Sequence, residues 1–285
     1  LIVALAFAFS LAACQEGRDT TVLRWNIGAD PLTLDPSLNG ASDGGDVINN
    51  TFEGLVREFN GVVEPGIAES WVTSADGKTI TFTLRDSVWS DGSDLTASDF
   101  VYTWLRAMDP ATASEYAWIW EYTNVVGALE YVYFTDEADN VTGDENVYND
   151  DGILTSADFS DGLDDDTGFT MAESRANVGI SAPDANTLVV ELVNPTSYFV
   201  SLMAFYHFMP VKQSSVEAVG GEEGLWAKKP DLAVCNGPFK LTAYTLGDGL
   251  VLEKNDNYWE ADSVKLQKIE GSFIDNESTA YDKYN

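Results

Sequence analysis

Apolar and polar residues alternate most regularly between Ile67 and Met108, IAESWVTSADGKTITFTLRDSVWSDGSDLTASDFVYTWLRAM. Ile80, Phe82 and Leu84 interleave with Thr79, Thr81, Thr83 and Arg85, the period of two of a strand with one buried face. Asp76-Gly77 is a tight-turn dipeptide, so this strand is expected to pair back across it. Asp91-Gly92 makes a second turn. Thr96, with Asp99 three residues later, resembles a capping box, and Phe100, Val101, Trp104, Leu105 and Met108 follow at helical spacing. The stretch predicts a helix on a small sheet, and none of its residues suggests catalysis.

Elsewhere the pattern is shorter-ranged. Val22 to Ile27 reads as a strand, and Asp30-Pro31 and Asp35-Pro36 break regular structure after it. Ser37 to Asp46 (SLNGASDGGD) reads as a loop, and Val47 to Arg57 has the spacing of a short helix. Val178 to Ile180 and Leu188 to Val193 read as strands about the turn Pro183-Asp184-Ala185-Asn186. Ser197 to Met209 is an apolar, aromatic run suited to a buried helix or an extended core segment. Lys212 to Lys229 is expected to be partly helical, broken at Gly220-Gly221. Phe239, Leu241 and Ala243 alternate with Lys240 and Thr242, and Leu250 to Glu253 is expected to pair with them across Gly247-Asp248-Gly249. The final residues, YDKYN, are helix-like.

Composition adds three constraints. With 285 residues, 45% of them hydrophobic, the chain can bury a sizeable core and is expected to hold more than one lobe. Its 47 Asp and Glu against 15 Lys and Arg give a net charge of -32, which argues against nucleic acid because phosphate binding needs a basic surface. Such an acidic coat points to solubility before any cationic ligand. At the N-terminus, Leu1 to Ala13 is apolar except for Ser10 and falls short of the ~20 residues of a membrane span. It reads as the apolar region of an export signal whose basic start is missing. Leu11-Ala12-Ala13-Cys14 resembles the lipobox of bacterial lipoproteins, so Cys14 is expected to be lipidated after cleavage and to anchor the protein outside the cytoplasmic membrane. Residues 14–19 would be the tether. Cys235 then has no disulfide partner, and the single His207 sits in an apolar run; both read as core residues. No Ser-His-Asp or metal-ligand spacing is present, so neither catalysis nor a cofactor is expected.

DPLTLDPSL, TFEGLV, EPGIAESW, DGKTITFTLRDSVWSDGSDLTASDFVYTW, DPATASEYAW, NPTSYF, CNGPFKL and LEKNDNYWEAD occur in the order and spacing seen in the family 5 extracellular solute-binding proteins. Among these the chain most resembles the oligopeptide-binding proteins of ABC importers, over about Val22 to Asn285. One interruption lies at about residues 135–175. There is no Lys or Arg from Ala107 to Ser174, while Asp136 to Glu173 holds 13 acidic residues. The family's connection here is much shorter, so this reads as an acidic insertion. Within it, Asn149, Asp151, Gly152 and Asp158 fall at positions 3, 5, 6 and 12 of an EF-hand-like calcium loop, but position 1 is Val147, which has no ligating side chain. The favoured reading is a solvated, self-repelling loop.

The resemblance implies a mixed α/β, type II periplasmic-binding-protein clamp in which ligand closes two lobes about a hinge. On that pattern the first lobe takes residues 20–52 and 178–285, and residues 53–177 form an inserted α+β domain. The second lobe is missing from this chain, which would carry half of a binding site. The resemblance also implies ligand contacts at Gly40, Ala41 and Ser42, in the family's peptide-contacting loop, and at Asn49 and Tyr116, of which Tyr116 keeps the TAS-x-Tyr pattern. Gly40 stands where some peptide binders have an acidic residue. The implied function is a non-enzymatic receptor that captures oligopeptides, through strand-like hydrogen bonds and water-filled side-chain pockets, and delivers them to an ABC import permease. The alternatives are another solute on the same fold (a dipeptide, a nickel chelate or an oligosaccharide) and an acidic, calcium-linked surface lipoprotein.

Overall fold

The computed structural model describes residues 19–134, 146–148, 154–156, 171–220 and 224–284. The signal-like residues 1–13, Cys14 and the side chains proposed for calcium lie outside the described residues.

The alternating stretch folds as its pattern predicts. β4 (Ala68–Thr73) and β5 (Thr79–Leu84) pair antiparallel across Asp76-Gly77, with Trp71 opposite Phe82 and Thr73 opposite Ile80. Ile80, Phe82 and Leu84 are buried, so the predicted face is the inner one. After the short pair β6 (Ser87–Val88) and β7 (Asp94–Leu95), helix α2 (Ala97–Met108) starts at the expected capping box, where the Thr96 N–H donates to Asp99 Oδ2 at 2.8 Å. Its buried face carries Phe100, Trp104 and Met108. Trp104 packs edge-on against Trp120 and Phe208, and its indole N–H donates to the Phe208 carbonyl at 2.9 Å.

The sheet does not end at β4 and β5. β11 (Thr187–Glu191) pairs antiparallel with β5, setting Leu188 beside Phe82 and Val190 beside Ile80, and β10 (Ile180–Asp184) completes the order β10-β11-β5-β4. β10 and β11, which follow the boundary expected at residue 177, thus share a sheet with β4 and β5. The hairpin reads locally as strand-turn-strand whichever sheet it joins; only the long-range register assigns it.

A second sheet has the order β1-β14-β13-β12. β1 (Val22–Asn26) runs parallel to β14 (Lys268–Ser272), while β12 (Phe239–Thr245), β13 (Gly249–Lys254) and β14 form an antiparallel meander. Small hairpins β2 (Val56–Phe59) with β3 (Val62–Pro65), and β8 (Asn146–Tyr148) with β9 (Leu154–Ser156), lie outside both sheets. A continuous cluster of buried residues, from Leu34 and Ile48 through Phe82, Trp104 and Phe208 to Leu252, joins the two sheets.

One expectation fails instructively. Helix α1 runs from Ser42 to Thr51, where a loop over 37–46 and a helix over 47–57 were predicted. Gly44 and Gly45 disfavour a helix intrinsically by about 1 kcal/mol each. Their helical backbone, however, passes so close to its neighbours that an added Cβ would lie 2.1 Å from Asn39 Oδ1 at Gly44 and 2.7 Å from the Tyr206 ring at Gly45. Tertiary packing selects glycine here and overrides its propensity. The helix stops at Thr51 because Phe52 is extended, and Val56–Arg57 pair in β2.

Candidate functional site

The site begins at Asp35. This fully buried carboxylate receives the guanidinium of Arg106, on α2, with Nη1 to Oδ1 at 3.1 Å and Nη2 to Oδ2 at 2.8 Å. Trp226 Nε1 donates to Oδ2 at 2.9 Å, and the Ser37 N–H to Oδ1 at 3.0 Å. A bidentate pair out of water is held by geometry as much as by charge, because each lone pair must find a donor to offset desolvation. Here it bolts the start of the 35–42 segment to helix α2.

The rest of that segment is fastened from three directions. The Leu38 and Asn39 N–H groups donate to the Asp35 carbonyl, and Asn39 Nδ2 to the Ala41 carbonyl at 2.7 Å. Ser114 Oγ donates to the Ser37 carbonyl at 2.6 Å, and the Tyr206 hydroxyl to that of Asn39 at 3.3 Å. Gly40, Ala41 and Ser42 are thus presented on a rigid turn. Gly40 is exposed, Ala41 caps α1 with extended backbone and no side-chain cap, and Ser42 is exposed in the first turn.

Tyr116 stands beside this turn. It is half-buried and precedes a 3-10 segment, Ala117–Tyr122. Its ring meets Phe205 edge-on at 5.0 Å, Tyr206 at 6.1 Å and His207 at 6.0 Å. Tyr206 links both parts: its hydroxyl holds the Asn39 carbonyl while its ring packs on Gly45 and Tyr116. Burial, and then a hydrogen bond with Tyr116, raise the Tyr206 phenol above its ordinary value. Glu115 lies against Gly40 itself, its Cβ 3.0 Å from where a Gly40 Cβ would stand. The structure therefore brings Gly40, Ala41, Ser42 and Tyr116 into one neighbourhood. Asn49 is exposed on α1 seven residues after Ser42, two turns along the same face, and its side chain has no described contact with Tyr116.

His207 is fully buried among Tyr116, Trp120, Phe205 and Phe208. Neither imidazole nitrogen has a hydrogen-bond partner, and burial pushes its pKa down to about 3. Cys235 is buried with its thiol pushed up to about 12, and Sγ meets the Phe239 carbonyl at 3.3 Å; a thiol so far from ionisation is a poor nucleophile. Among the described residues no cluster of His, Cys, Asp and Glu could hold a metal ion. No described helix is long and apolar enough to cross a membrane.

The pattern of hydrophobic positions gave no sign of Asp35, Arg106, Trp226 or Tyr206 as a framework. The available signal was weak: an Asp between two prolines, and an Arg inside an otherwise apolar helical turn, Leu105 to Met108.

The same architecture occurs in solved binding proteins. Haemophilus influenzae OppA, in complex with RPPGFSPFR, superposes with a TM-score of 0.74 and 30% identity over 93% of this chain and 44% of that one. Two sheets of this topology, one core and the turn beside Tyr116 define part of a type II periplasmic-binding-protein fold. The description "Bacterial extracellular solute-binding proteins, family 5 Middle" matches residues 62–284, and the chain belongs to that family. The oligopeptide-binding protein OppA of Bacillus subtilis is 36% identical over 98% of this chain, and the dipeptide-binding protein DppE of the same organism 30% identical over 99%. The chain spans about half the length of these curated relatives, 46% and 47%.

Proposed function

We propose that the protein is the receptor of a peptide importer: it captures oligopeptides outside the cytoplasmic membrane, is held there by lipid on Cys14, and delivers its cargo to an ABC permease without catalysing a reaction. The observation that carries this reading is the rigid Gly40–Ser42 turn set against Tyr116, in a fold shared at 30% identity with a protein solved in complex with RPPGFSPFR. An exposed turn held from behind presents its backbone N–H and C=O groups at fixed positions, and backbone hydrogen bonding suits ligands of varied side chain. In this reading Gly40, Ala41, Ser42, Asn49 and Tyr116 line one wall of a cleft whose opposing wall belongs to a second lobe. Residues 20–52 and 178–285 build the first lobe and residues 53–177 the inserted domain, whose strands β4 and β5 share a sheet with β10 and β11.

Native mass spectrometry of the intact protein, released from membranes by detergent, tests both parts. The expected spectrum carries a diacylglyceryl mass on an N-terminal Cys14 and a mixed population of bound peptides. A protein that purifies without peptides, and gives no heat with a peptide library in calorimetry, sinks the peptide reading. An unmodified Cys14 sinks the anchor. The likeness to DppE favours a second reading, short peptides of two residues, which the lengths of the co-purified peptides would decide.

A further inference from the structure

Between α2 and Tyr116 the chain makes a short bracket, Asp109 to Ser114, that is pinned at both ends. At its start, Asp109 Oδ1 accepts the Ala111 N–H at 3.0 Å and Oδ2 accepts the Tyr131 hydroxyl at 2.8 Å, with Arg175 Nη1 3.7 Å away. At its end, Ser114 Oγ donates to the Ser37 carbonyl, 77 residues earlier in the chain, at 2.6 Å and accepts the Tyr116 N–H at 3.4 Å. Between the pins Ala113 is left-handed, with φ 50° and ψ 45°. A residue with a Cβ enters that region at a cost, and such strain persists only where the surroundings over-determine it.

A second hydroxyl makes the same kind of connection. The Tyr206 hydroxyl donates to the Asn39 carbonyl at 3.3 Å and hydrogen-bonds with Tyr116. Each hydroxyl therefore holds Tyr116 with one bond and the segment that carries the Gly40–Ser42 turn with another: Ser114 through the Ser37 carbonyl, Tyr206 through that of Asn39. The approach they maintain is close, since a Cβ at Gly40 would stand 3.0 Å from Glu115 Cβ. The two hydroxyls differ in what else they carry. The Tyr206 ring also packs against Phe205 and Gly45, whereas half-buried Ser114 adds little more than its hydroxyl, which uses its donor on the turn segment and an acceptor site on Tyr116.

Building on the peptide-receptor reading above, we propose that Ser114 is a positioning residue: its hydroxyl sets the spacing between Tyr116 and the Gly40–Ser42 turn, so that this wall of the cleft has its binding shape before a peptide arrives. Preorganisation of this kind raises affinity because ordering the wall is no longer a cost of binding. It acts through Tyr116 and the turn, and so is blind to the side chains of the peptide.

Calorimetry on the intact protein tests this with penta-alanine and with the same peptide carrying Phe or Lys at its centre. Ser114→Ala is expected to weaken all three by about tenfold, the loss that follows if the wall holds its binding shape only about a tenth of the time. Ser114→Thr, which keeps the hydroxyl, should bind all three within about twofold of the parent. The ligand-free Ser114→Ala protein should melt within about 2 °C of the parent, as a change that leaves the core intact does, while its Tyr116 amide exchanges faster. Binding by Ser114→Ala within about twofold of the parent, a loss confined to one peptide, or an equal loss in Ser114→Thr overturns the positioning role and leaves the peptide-receptor reading standing. A melting midpoint lowered by more than about 5 °C in Ser114→Ala assigns the loss to the fold and overturns the role as well. A parent protein that binds none of the three, and purifies without peptides, overturns the receptor reading and the role of Ser114 with it.

Discussion

His207 departs far from the ordinary acid–base chemistry of an imidazole, and its single cause makes that departure measurable. Burial alone, with no charged neighbour contributing, holds its pKa near 3. In the unfolded chain it titrates near 6.5. Between these values the unfolded state binds a proton that the folded state refuses, so folding stability is fully present above about pH 6.5 and falls as pH drops towards 3, by at most about 1.4 kcal/mol per pH unit. Urea unfolding between pH 7 and 4.5 should show this slope, and His207→Phe should remove it while leaving the slope from the carboxylates. An unchanged slope in the variant would mean that His207 is hydrated or protonated in the folded state. That the residue is part of the core was legible from its apolar surroundings. That both nitrogens go unpartnered was not, because hydrogen bonding is a property of what surrounds a side chain in space.

Among elements, α2 was the most legible. Its capping box, its apolar spacing and its turn-flanked strand are all local signals, and each appears in the structure where the pattern put it. Thr96→Ala should therefore cost about 1 kcal/mol, the usual size of a lost cap, with little effect on ligand binding. Equilibrium denaturation reads the first and calorimetry the second; a loss below about 0.3 kcal/mol would show that the Asp99 carboxylate suffices alone. α1 was the least legible element. Its Gly44-Gly45 pair is a loop signal in any local reading, and only the closeness of Asn39 and the Tyr206 ring makes glycine necessary there. The helix also begins within the turn that carries the candidate contacts, so Ala41 and Ser42 owe their placement to this non-local choice.

At the scale of the whole molecule, the Asp35–Arg106 pair joins the segment bearing Gly40 to helix α2, about 70 residues away in sequence. Asp35→Asn would leave a buried guanidinium uncompensated, and a loss of about 3–5 kcal/mol is expected by urea denaturation. Arg106→Met in the same chain should restore part of that loss, since an apolar side chain of similar length needs no partner. A single variant within 1 kcal/mol of the parent would show that water reaches the pair. The same scale explains the hairpin β10–β11. Its two strands read correctly, yet the sheet that they join depends on the register Leu188 to Phe82, more than 100 residues apart in sequence.

The sequence by itself determined the family, through eight ordered motifs, and through that resemblance the mixed α/β class; it also determined the strand, turns and capped helix of residues 67–108, because such signals act over a few residues and survive being read one stretch at a time. It also pointed to Tyr116 and the Gly40–Ser42 turn, but only by resemblance. Tertiary structure alone decided what holds that turn: Asp35, Arg106, Trp226 and Tyr206 come from four distant stretches, and a buried carboxylate finds its donors across space. It alone also decided that Trp118 faces water while Trp120 does not, since two residues of a 3-10 turn differ in burial only by what lies beneath them.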